Sequence, residues 1–309
     1  MPAAMPAASI PAAPRLEFRY PRSRFEQEGV RFELVRAGGV RRLLLVPAGG
    51  PLPPDRPDGA PVALPDGSRG HLHPLSPEAA DWMRSRFPFL APCANPGIPV
   101  SLGLGDRLGR ASAGHLQCLG QRPVFPVLAQ QSMRELRLTG RSYPEVLDAA
   151  TWAVFETGWT RGYGADGDHL KTGPEIDLAL ASGYTMITLD GSDHIDRTLA
   201  EMDDAAIHAR YGLLPEAERA DLEARYLEGG DPEAAVLEAG FSRASFERTV
   251  LTYRGALAHA ADMYRTRIAR AARYLKPDDH DFFLTYGDAV ADLDVAALLR
   301  FHREKQKMI

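Results

Sequence analysis

The sequence has few cysteines and no long apolar run, and each shortage excludes a class of protein. Two cysteines in 309 residues, Cys93 and Cys118, are too few for a disulfide scaffold or a cysteine-rich zinc site. They fit a reducing cytoplasm, and a pairing with each other stays open. No apolar run reaches the roughly 20 residues that span a bilayer. We therefore expect a cytoplasmic protein with no membrane partner.

The charge balance also lacks the excess of basic residues that nucleic-acid binding requires. The formal net charge is -5 and the pI is near 6.0, with lysines and arginines scattered along the chain, so we expect no nucleic-acid partner. With 45% hydrophobic and 25% charged residues, the composition predicts a globular chain. Its length suffices for one large domain or two modest ones.

The first 97 residues divide into a leader and an accessory segment. Residues 1–14 are rich in proline and alanine and lack the basic and apolar regions of a signal peptide, which predicts a disordered leader. Residues 15–97 predict an N-terminal accessory β/α segment. Within it, the Pro, Gly and Asp content of residues 47–75 predicts a loop or linker.

Two local signals within the accessory segment predict a hairpin and a helix. Two β-favouring runs, 30–35 and 40–46, are separated by Ala37-Gly38-Gly39, as in a hairpin. Ser76 followed by proline is typical of a helix start, with serine as the N-cap.

Residues 98–309 predict short apolar strands followed by capped helices, the pattern of a parallel α/β sheet. The strand candidates are RPVFPVLAQQS at 122–132, GADGDHLK at 164–171 and YTMITLD at 184–190. Ser142 with Glu145, and Thr172 with Glu175, match the capping box that begins a helix.

A helical insertion is expected at about 196–275, where apolar residues recur at three- and four-residue steps along one long helix. We expect this apolar face to pack as core. Its members are Phe246, Val250, Tyr253, Leu257, Ala261, Tyr264 and Ile268.

Polar side chains cluster where the strand 164–171 ends, at the edge where parallel α/β folds bind ligands. If side chains alternate, His169 and Lys171 share one face while Asp168 faces the other way or sits at the turn. A histidine and a lysine that point together suit a core poorly. A ligand or metal role for His169 therefore stands beside the alternative of a structural histidine.

Several stretches resemble the tagaturonate epimerases, the hexuronate C4-epimerase family, over roughly residues 98–270. The stretches that carry the resemblance are SLGLGDRLGRASAGH, QQSMRELRLTGRSYPEVLDAATWAVFETGW, GYGADGDHLKTGPEIDLALASGYTMITLDGSDHID and YRGALAHAADMY. The resemblance implies an isomerase on a TIM-barrel-like (β/α) scaffold that interconverts D-tagaturonate and D-fructuronate at C4. It also implies a small hexuronate substrate and a divalent metal ion: zinc, manganese or nickel.

The resemblance and the required chemistry suggest roles for six residues. The C4 hydrogen of a 2-ketose acid is not acidic, so we expect retro-aldol and aldol steps rather than enolisation; no dinucleotide-binding fingerprint is visible. Asp168 is expected to act as the base and His169 as a metal ligand. The expected substrate-binding residues, for which loop-supporting salt bridges are the alternative, are Arg107, Ser132, Glu135 and Lys171.

The chain departs from the family pattern at its end. The resemblance leads us to expect a later DE acid and a histidine-containing HSGSDKFS-like segment that complete the metal site and the acid/base pair, and the chain contains neither. We therefore expect an incomplete scaffold, truncated at the C-terminus, with little or no activity by itself. A homo-oligomer or a missing C-terminal half would supply the rest. The alternative function is a non-catalytic sugar-acid-binding or scaffold remnant.

Overall fold

The computed structural model describes residues 15–226 and 242–268. The predicted leader, residues 1–14, lies outside the described residues. The described residues divide into two compact units: one comprises residues 15–187 and 257–268, and the other residues 188–226 and 242–256.

An antiparallel sheet occupies the start of the first unit, with strand order β1-β3-β4-β6-β5 and β2 paired with β3. Its strands are β1 (Leu16–Arg19), β2 (Phe25–Gln27), β3 (Val30–Ala37), β4 (Val40–Pro47), β5 (Ala60–Ala63) and β6 (Arg69–Pro74). The predicted hairpin is confirmed, since β3 and β4 pair in register from Val30↔Pro47 to Ala37↔Val40. Gly38 and Gly39 both have positive φ, as a tight hairpin turn requires.

The predicted loop at residues 47–75 is wrong for its second half, which forms the β5–β6 hairpin. Pro61 and Gly70 lower the strand propensity of these segments. The pairing is nevertheless favourable because Val62 and Leu72 join a buried apolar cluster with residues of β3 and β4. Packing outweighs local propensity here.

Helix α1 (Pro77–Arg86) begins as predicted, with the Ser76 hydroxyl accepting a hydrogen bond from the Ala79 amide at 3.2 Å. From this helix Arg84 reaches the later helix α4 (Tyr143–Thr157). Its guanidinium donates to Asp148 Oδ1 at 2.8 Å and to Thr151 Oγ1 at 2.9 Å. Both members of the Arg84–Asp148 pair are largely buried, so the pair ties two segments together in a poorly solvated setting.

Replacing Arg84 with alanine is expected to lower the free energy of unfolding by about 3 kcal/mol at pH 8, because a buried carboxylate then loses its cation. Burial already raises the pKa of Asp148. Asp148 will therefore bind a proton at a higher pH in the folded state than in the unfolded state. The loss of unfolding free energy caused by Arg84→Ala should then be smaller at pH 5 than at pH 8. Urea denaturation at both pH values measures this. An equal penalty at both pH values would contradict it.

The exposed pair of Arg24 and Glu26, 3.6 Å apart, offers a control for that prediction. Glu26→Ala should change the free energy of unfolding by less than about 0.5 kcal/mol, as solvent-exposed pairs do.

A second sheet has strand order β10-β9-β8-β7, with β7 and β9 both parallel to β8. Its strands are β7 (Val100–Gly103), β8 (Val124–Ser132), β9 (Gly164–Leu170) and β10 (Met186–Leu189). The helices between them are α2 (Ser112–Leu119), α3 (Met133–Thr139), α4 and α5 (Gly173–Ala181). This alternation confirms the predicted α/β class.

The predicted capping boxes are present. In α4 the Ser142 amide and hydroxyl both donate to Glu145 Oε2, at 2.7 and 2.8 Å, and the helix ends at Gly158 with φ 63°. In α5 the Thr172 amide donates to Glu175 Oε2 at 3.0 Å. These contacts fix where each helix starts behind the strand that precedes it.

The helical region comprises α6 (Asp204–Gly212), α7 (Glu216–Tyr226), α8 (Arg243–Met263) and a π-helical turn, Tyr264–Ile268. The predicted apolar face of α8 is only partly core. Phe246 is buried, but Tyr253 is 46% exposed and Leu257 is 62% exposed. Periodicity identifies an apolar face without showing what covers it, which is why the prediction fails there. No described helix is long and apolar enough to cross a membrane.

Candidate functional site

The carboxyl ends of β8 and β9 bring polar side chains next to each other. In the parallel register Gln130 pairs with Asp166 and Ser132 pairs with Asp168. The Gln130 amide lies 3.5 Å from Asp166 Oδ2. On the neighbouring strand β7 a Cβ at Gly103 would lie 2.8 Å from the Gln130 side chain. The absence of a side chain at Gly103 therefore makes room for this polar row.

Asp168 and His169 form a close pair at the end of β9. His169 Nδ1 lies 2.8 Å from Asp168 Oδ1. Asp168 is 5% exposed, whereas the imidazole is partly exposed. Of the two predicted placements of Asp168, the opposite face and the turn, the opposite face is wrong, because His169 adopts a left-handed backbone conformation with φ 55°. That conformation interrupts the alternation of the strand and brings consecutive side chains together.

Left-handed backbone at a residue other than glycine costs free energy and clusters at functional sites. A left-handed residue with a Cβ costs roughly 1–2 kcal/mol. The free energy of unfolding of His169→Gly is therefore expected to be about 1 kcal/mol higher than that of His169→Ala. At Lys171, which is not left-handed, the order should reverse, with Lys171→Gly less stable than Lys171→Ala. Chemical denaturation of the four variants checks both orders. Equal stability of the two His169 variants would contradict the assignment.

Arg107 lies on the loop that follows β7 and contacts Glu135 and Gln130. Its Nε atom is 2.5 Å from Glu135 Oε1, and its Nη1 donates to the Gln130 carbonyl oxygen at 2.8 Å. Arg141 in turn donates to the carbonyl oxygens of Asp106 and Arg107, at 3.3 and 3.2 Å. The guanidinium of Arg107 is therefore held at the edge of the sheet.

Ser132 and Glu135 form the capping box of α3. The Ser132 amide donates to Glu135 Oε2 at 3.0 Å, and the Glu135 amide donates to Ser132 Oγ at 3.3 Å. Both oxygens of Glu135 are thus used, one by Ser132 and one by Arg107. These contacts match the loop-supporting alternative that the sequence leaves open for Ser132, Glu135 and Arg107.

Lys171 follows β9 with both backbone polar groups hydrogen-bonded. Its amide donates to Glu175 Oε2 at 2.8 Å, and its carbonyl oxygen accepts from His259 Nε2 at 2.8 Å. The lysine is half-buried. The turn after His169 is therefore fixed through its main chain.

Sequence reasoning missed three buried polar residues near this edge. Asp166 is 1% exposed and lies two residues before Asp168, so strand alternation alone would have placed both on one face. The hydroxyl of buried Tyr143 donates to the Gln131 carbonyl at 3.3 Å. Burial, together with nearby carboxylates, raises the pKa of Tyr143, which keeps this hydroxyl a neutral donor.

The third missed residue, Asp106, organises the loop that carries Arg107. Its carboxylate accepts hydrogen bonds from the Arg110, Ala111 and Ser112 amides and from the Ser112 hydroxyl, at 2.7 to 2.9 Å. Burial opposes ionisation, but these donors outweigh it and lower the pKa of Asp106. An aspartate just before a helix was the available sequence signal.

The described residues satisfy only part of a metal site. Within 15–226 and 242–268 no group of three or more His, Cys, Asp or Glu side chains is placed to hold one ion, whereas a catalytic zinc takes three protein ligands. His169 suits one position, because an imidazole ligand usually has its other nitrogen held by a carboxylate, as Asp168 does here. Further ligands would have to come from outside the described residues.

A cavity of about 430 Å³ in the second unit is lined by polar and apolar residues. Both of its arginines are already ion-paired: Arg210 with Asp196 at 2.7 Å and Arg254 with Glu218 at 2.5 Å. It is therefore a weaker candidate for an acidic ligand than the edge of the parallel sheet.

Comparison with known proteins identifies the family. The model of the family described as tagaturonate epimerase matches residues 64–278, more than half of the chain. The chain belongs to the tagaturonate epimerase family. All six residues suggested from the sequence lie inside the matched segment. The chain is 36% identical over 188 residues to the tagaturonate/fructuronate epimerase of Thermotoga maritima, covering 61% of this chain and 38% of that protein.

Solved structures agree with the family assignment. The glycerol-complexed crystal structure of fructuronate-tagaturonate epimerase UxaE from Cohnella laeviribosi is 40% identical with a TM-score of 0.73, covering 84% of this chain and 51% of that chain. The chain therefore spans about half the length of this relative and 38% of the length of the Thermotoga maritima protein. A stretch of 41 residues, 13% of this chain, is 51% identical to glucose-1-phosphate cytidylyltransferase of Salmonella typhimurium and covers 16% of that protein.

Proposed function

We propose that this tagaturonate epimerase family member takes part in the C4 epimerisation of D-tagaturonate and D-fructuronate. Its parallel sheet would supply the base and the substrate-binding residues. The single observation that carries the proposal is the Asp168–His169 pair at the carboxyl end of β9, inside the segment that the family model matches. Strained backbone that aligns two ionisable side chains at this edge is typical of a catalytic site.

Asp168 is proposed as the base for the C4 hydroxyl. Its Oδ1 contacts His169, so Oδ2 is the oxygen that would accept the proton. The C3–C4 bond then breaks, its electrons form the enolate of the C1–C3 fragment, and C4 becomes an aldehyde carbon. After the aldehyde rotates, the enolate carbon attacks its other face, and the new C4 alkoxide takes the proton back from Asp168.

Arg107 and Lys171 are proposed to bind the carboxylate or hydroxyl groups of the sugar acid. The Arg107 guanidinium uses Nε and Nη1 for Glu135 and Gln130, so Nη2 is the nitrogen to offer a ligand. An arginine anchored in this way loses little side-chain entropy on binding. Ser132 and Glu135 then act mainly by holding Arg107 and the start of α3.

A divalent metal ion is proposed to bind at His169 through Nε2, since Nδ1 is held by Asp168. Such an ion would polarise the ketone and stabilise the enolate. Of the expected ions, imidazole suits zinc and nickel, whereas manganese prefers oxygen ligands.

The four strands β7 to β10 are proposed to belong to a barrel-like (β/α) scaffold, because strands and helices alternate along this part of the chain. A cytoplasmic location is also proposed. Its support is that Cys93 and Cys118 are both free thiols.

The first test is binding of tagaturonate to the 309-residue chain, measured by calorimetry with manganese or zinc present. Saturable binding that weakens at least tenfold in Arg107→Ala is expected. The control is Arg122→Ala, because Arg122 donates to the Cys118 carbonyl on α2 and has no proposed role. No binding by the parent chain would refute the proposed substrate.

A non-catalytic sugar-acid-binding protein is the second candidate. One observation favours it, because Glu135 is engaged by Ser132 and Arg107 in contacts that support the loop and the start of α3. Nuclear magnetic resonance of tagaturonate with the segment-swap enzyme, defined in the next paragraph, separates the two. Conversion to fructuronate that a chelator abolishes and metal restores supports the epimerase, whereas binding without conversion supports the second candidate.

Turnover by variants is best compared in an enzyme of ordinary family length. We define the segment-swap enzyme as the Cohnella laeviribosi epimerase in which residues 64–278 of this chain replace the matching segment. Residues keep the numbers of this chain.

A further inference from the structure

The turn that follows His169 is held by a distant part of the chain. Lys171 lies 88 residues before His259, yet the His259 ring reaches its carbonyl oxygen. Because a carbonyl oxygen only accepts, Nε2 of His259 must carry the hydrogen at this contact. The Lys171 amide is held at the same time by Glu175 Oε2, at 2.8 Å. Both polar groups of this residue's backbone are therefore constrained.

A second contact between the same two segments lies one helical turn further along α5. Arg267 Nη1, in the π-helical turn after α8, is 2.6 Å from Asp177 Oδ2. The guanidinium also lies against the backbone at Gly173, where a Cβ would meet Arg267 Nη2 at 2.9 Å. A π-helical turn is rare and is often found at functional sites. Residues 257–268 thus contact Lys171 and the first half of α5 through two independent polar groups.

The left-handed conformation of His169 explains what these contacts do. A strained conformation such as that of His169 persists only where the surrounding structure over-determines it. Upstream, the strand pairing of Asp168 with Ser132 fixes the chain. Downstream, the amide and the carbonyl oxygen of Lys171 are both hydrogen-bonded. His259 therefore lies where a contact would keep the turn from relaxing.

We propose that His259 is a positioning residue: its ring N–H fixes the Lys171 carbonyl and thereby the orientation of Asp168, His169 and Lys171. The effect of His259 on substrate binding rests on the proposed function, whereas its effect on the backbone at Lys171 does not. His259 touches the main chain of the site and acts through it.

Hydrogen exchange of the full 309-residue chain tests the structural part. In His259→Ala the amides of Lys171 and Thr172 should exchange about five- to tenfold faster, as loss of one ordinary hydrogen bond implies. In His259→Gln, whose Nε2 amide also donates, exchange should stay near the parent rate. The control is His208→Ala, because His208 pairs with Glu247 instead.

Tagaturonate affinity of the same variants tests the functional part. His259→Ala should bind at least five times more weakly than the parent, and His259→Gln should restore most of the affinity at unchanged thermal stability. If the parent chain binds no tagaturonate, the proposed function fails while the exchange data still decide the role of His259.

Three results would overturn the inference: parent-like exchange at Lys171 in His259→Ala, equal effects of the alanine and glutamine variants, or an affinity that does not follow the exchange rates. If His259→Ala does not fold, the comparison of His259→Gln with His259→Asn replaces it, because the shorter amide cannot reach the carbonyl. Faster exchange in the asparagine variant alone is then the expected result.

Discussion

Asp168→Asn in the segment-swap enzyme should lower the turnover of tagaturonate by about two to four orders of magnitude, the usual share of a general base. Asparagine has the shape of aspartate and keeps an oxygen for His169 Nδ1, now 2.8 Å from Asp168 Oδ1. It has no oxygen basic enough to take the C4 hydroxyl proton. Substrate affinity should therefore change little while the rate falls.

The assay must separate loss of the base from loss of the metal. A carboxylate that supports a ligating imidazole contributes roughly 10- to 100-fold to metal affinity, so turnover is measured at saturating metal. Asp66→Asn is the control, because Asp66 accepts hydrogen bonds only within the exposed Ser68 turn. Turnover within a factor of about ten of the parent would refute Asp168 as the base.

His169→Ala should weaken the binding of zinc or manganese by more than about 100-fold, because loss of a ligand costs more than loss of its supporting carboxylate. Equilibrium dialysis with elemental analysis of the segment-swap enzyme measures this without a turnover assay. Glycine at position 169 should be more favourable than alanine for stability, but it should not restore metal binding. His169→Gly should lose metal to the same extent.

His115→Ala is the matched control for metal binding. His115 lies on α2, has no proposed role, and its removal should leave metal occupancy unchanged. Parent-like metal content in His169→Ala would remove His169 from the ligands.

The sequence predicted those features of the fold that depend on neighbouring residues. The helix start at Ser76 and the capping boxes at Ser142 and Thr172 were found because each is decided within four positions. The β3–β4 hairpin was found for the same reason. The strands β5 and β6 were missed, because their stability comes from Val62 and Leu72 packing on distant strands.

The site was predictable in position and less so in geometry. Its place at the ends of β8 and β9 followed from the α/β pattern. Strand alternation, however, assumes regular backbone dihedrals, and the φ of 55° at His169 reverses the predicted separation from Asp168. The contact of His259 with Lys171 joins segments far apart in sequence, and no local pattern predicts such a pairing.

The most direct test of the proposed function is the conversion of tagaturonate to fructuronate by the segment-swap enzyme, followed by nuclear magnetic resonance with metal, with a chelator, and with metal restored. The proposed function predicts conversion that the chelator abolishes, that metal restores, and that Asp168→Asn reduces at least a hundredfold. A folded, metal-loaded segment-swap enzyme that leaves tagaturonate unchanged would contradict it. Asp168→Asn working at the parent rate would contradict it equally.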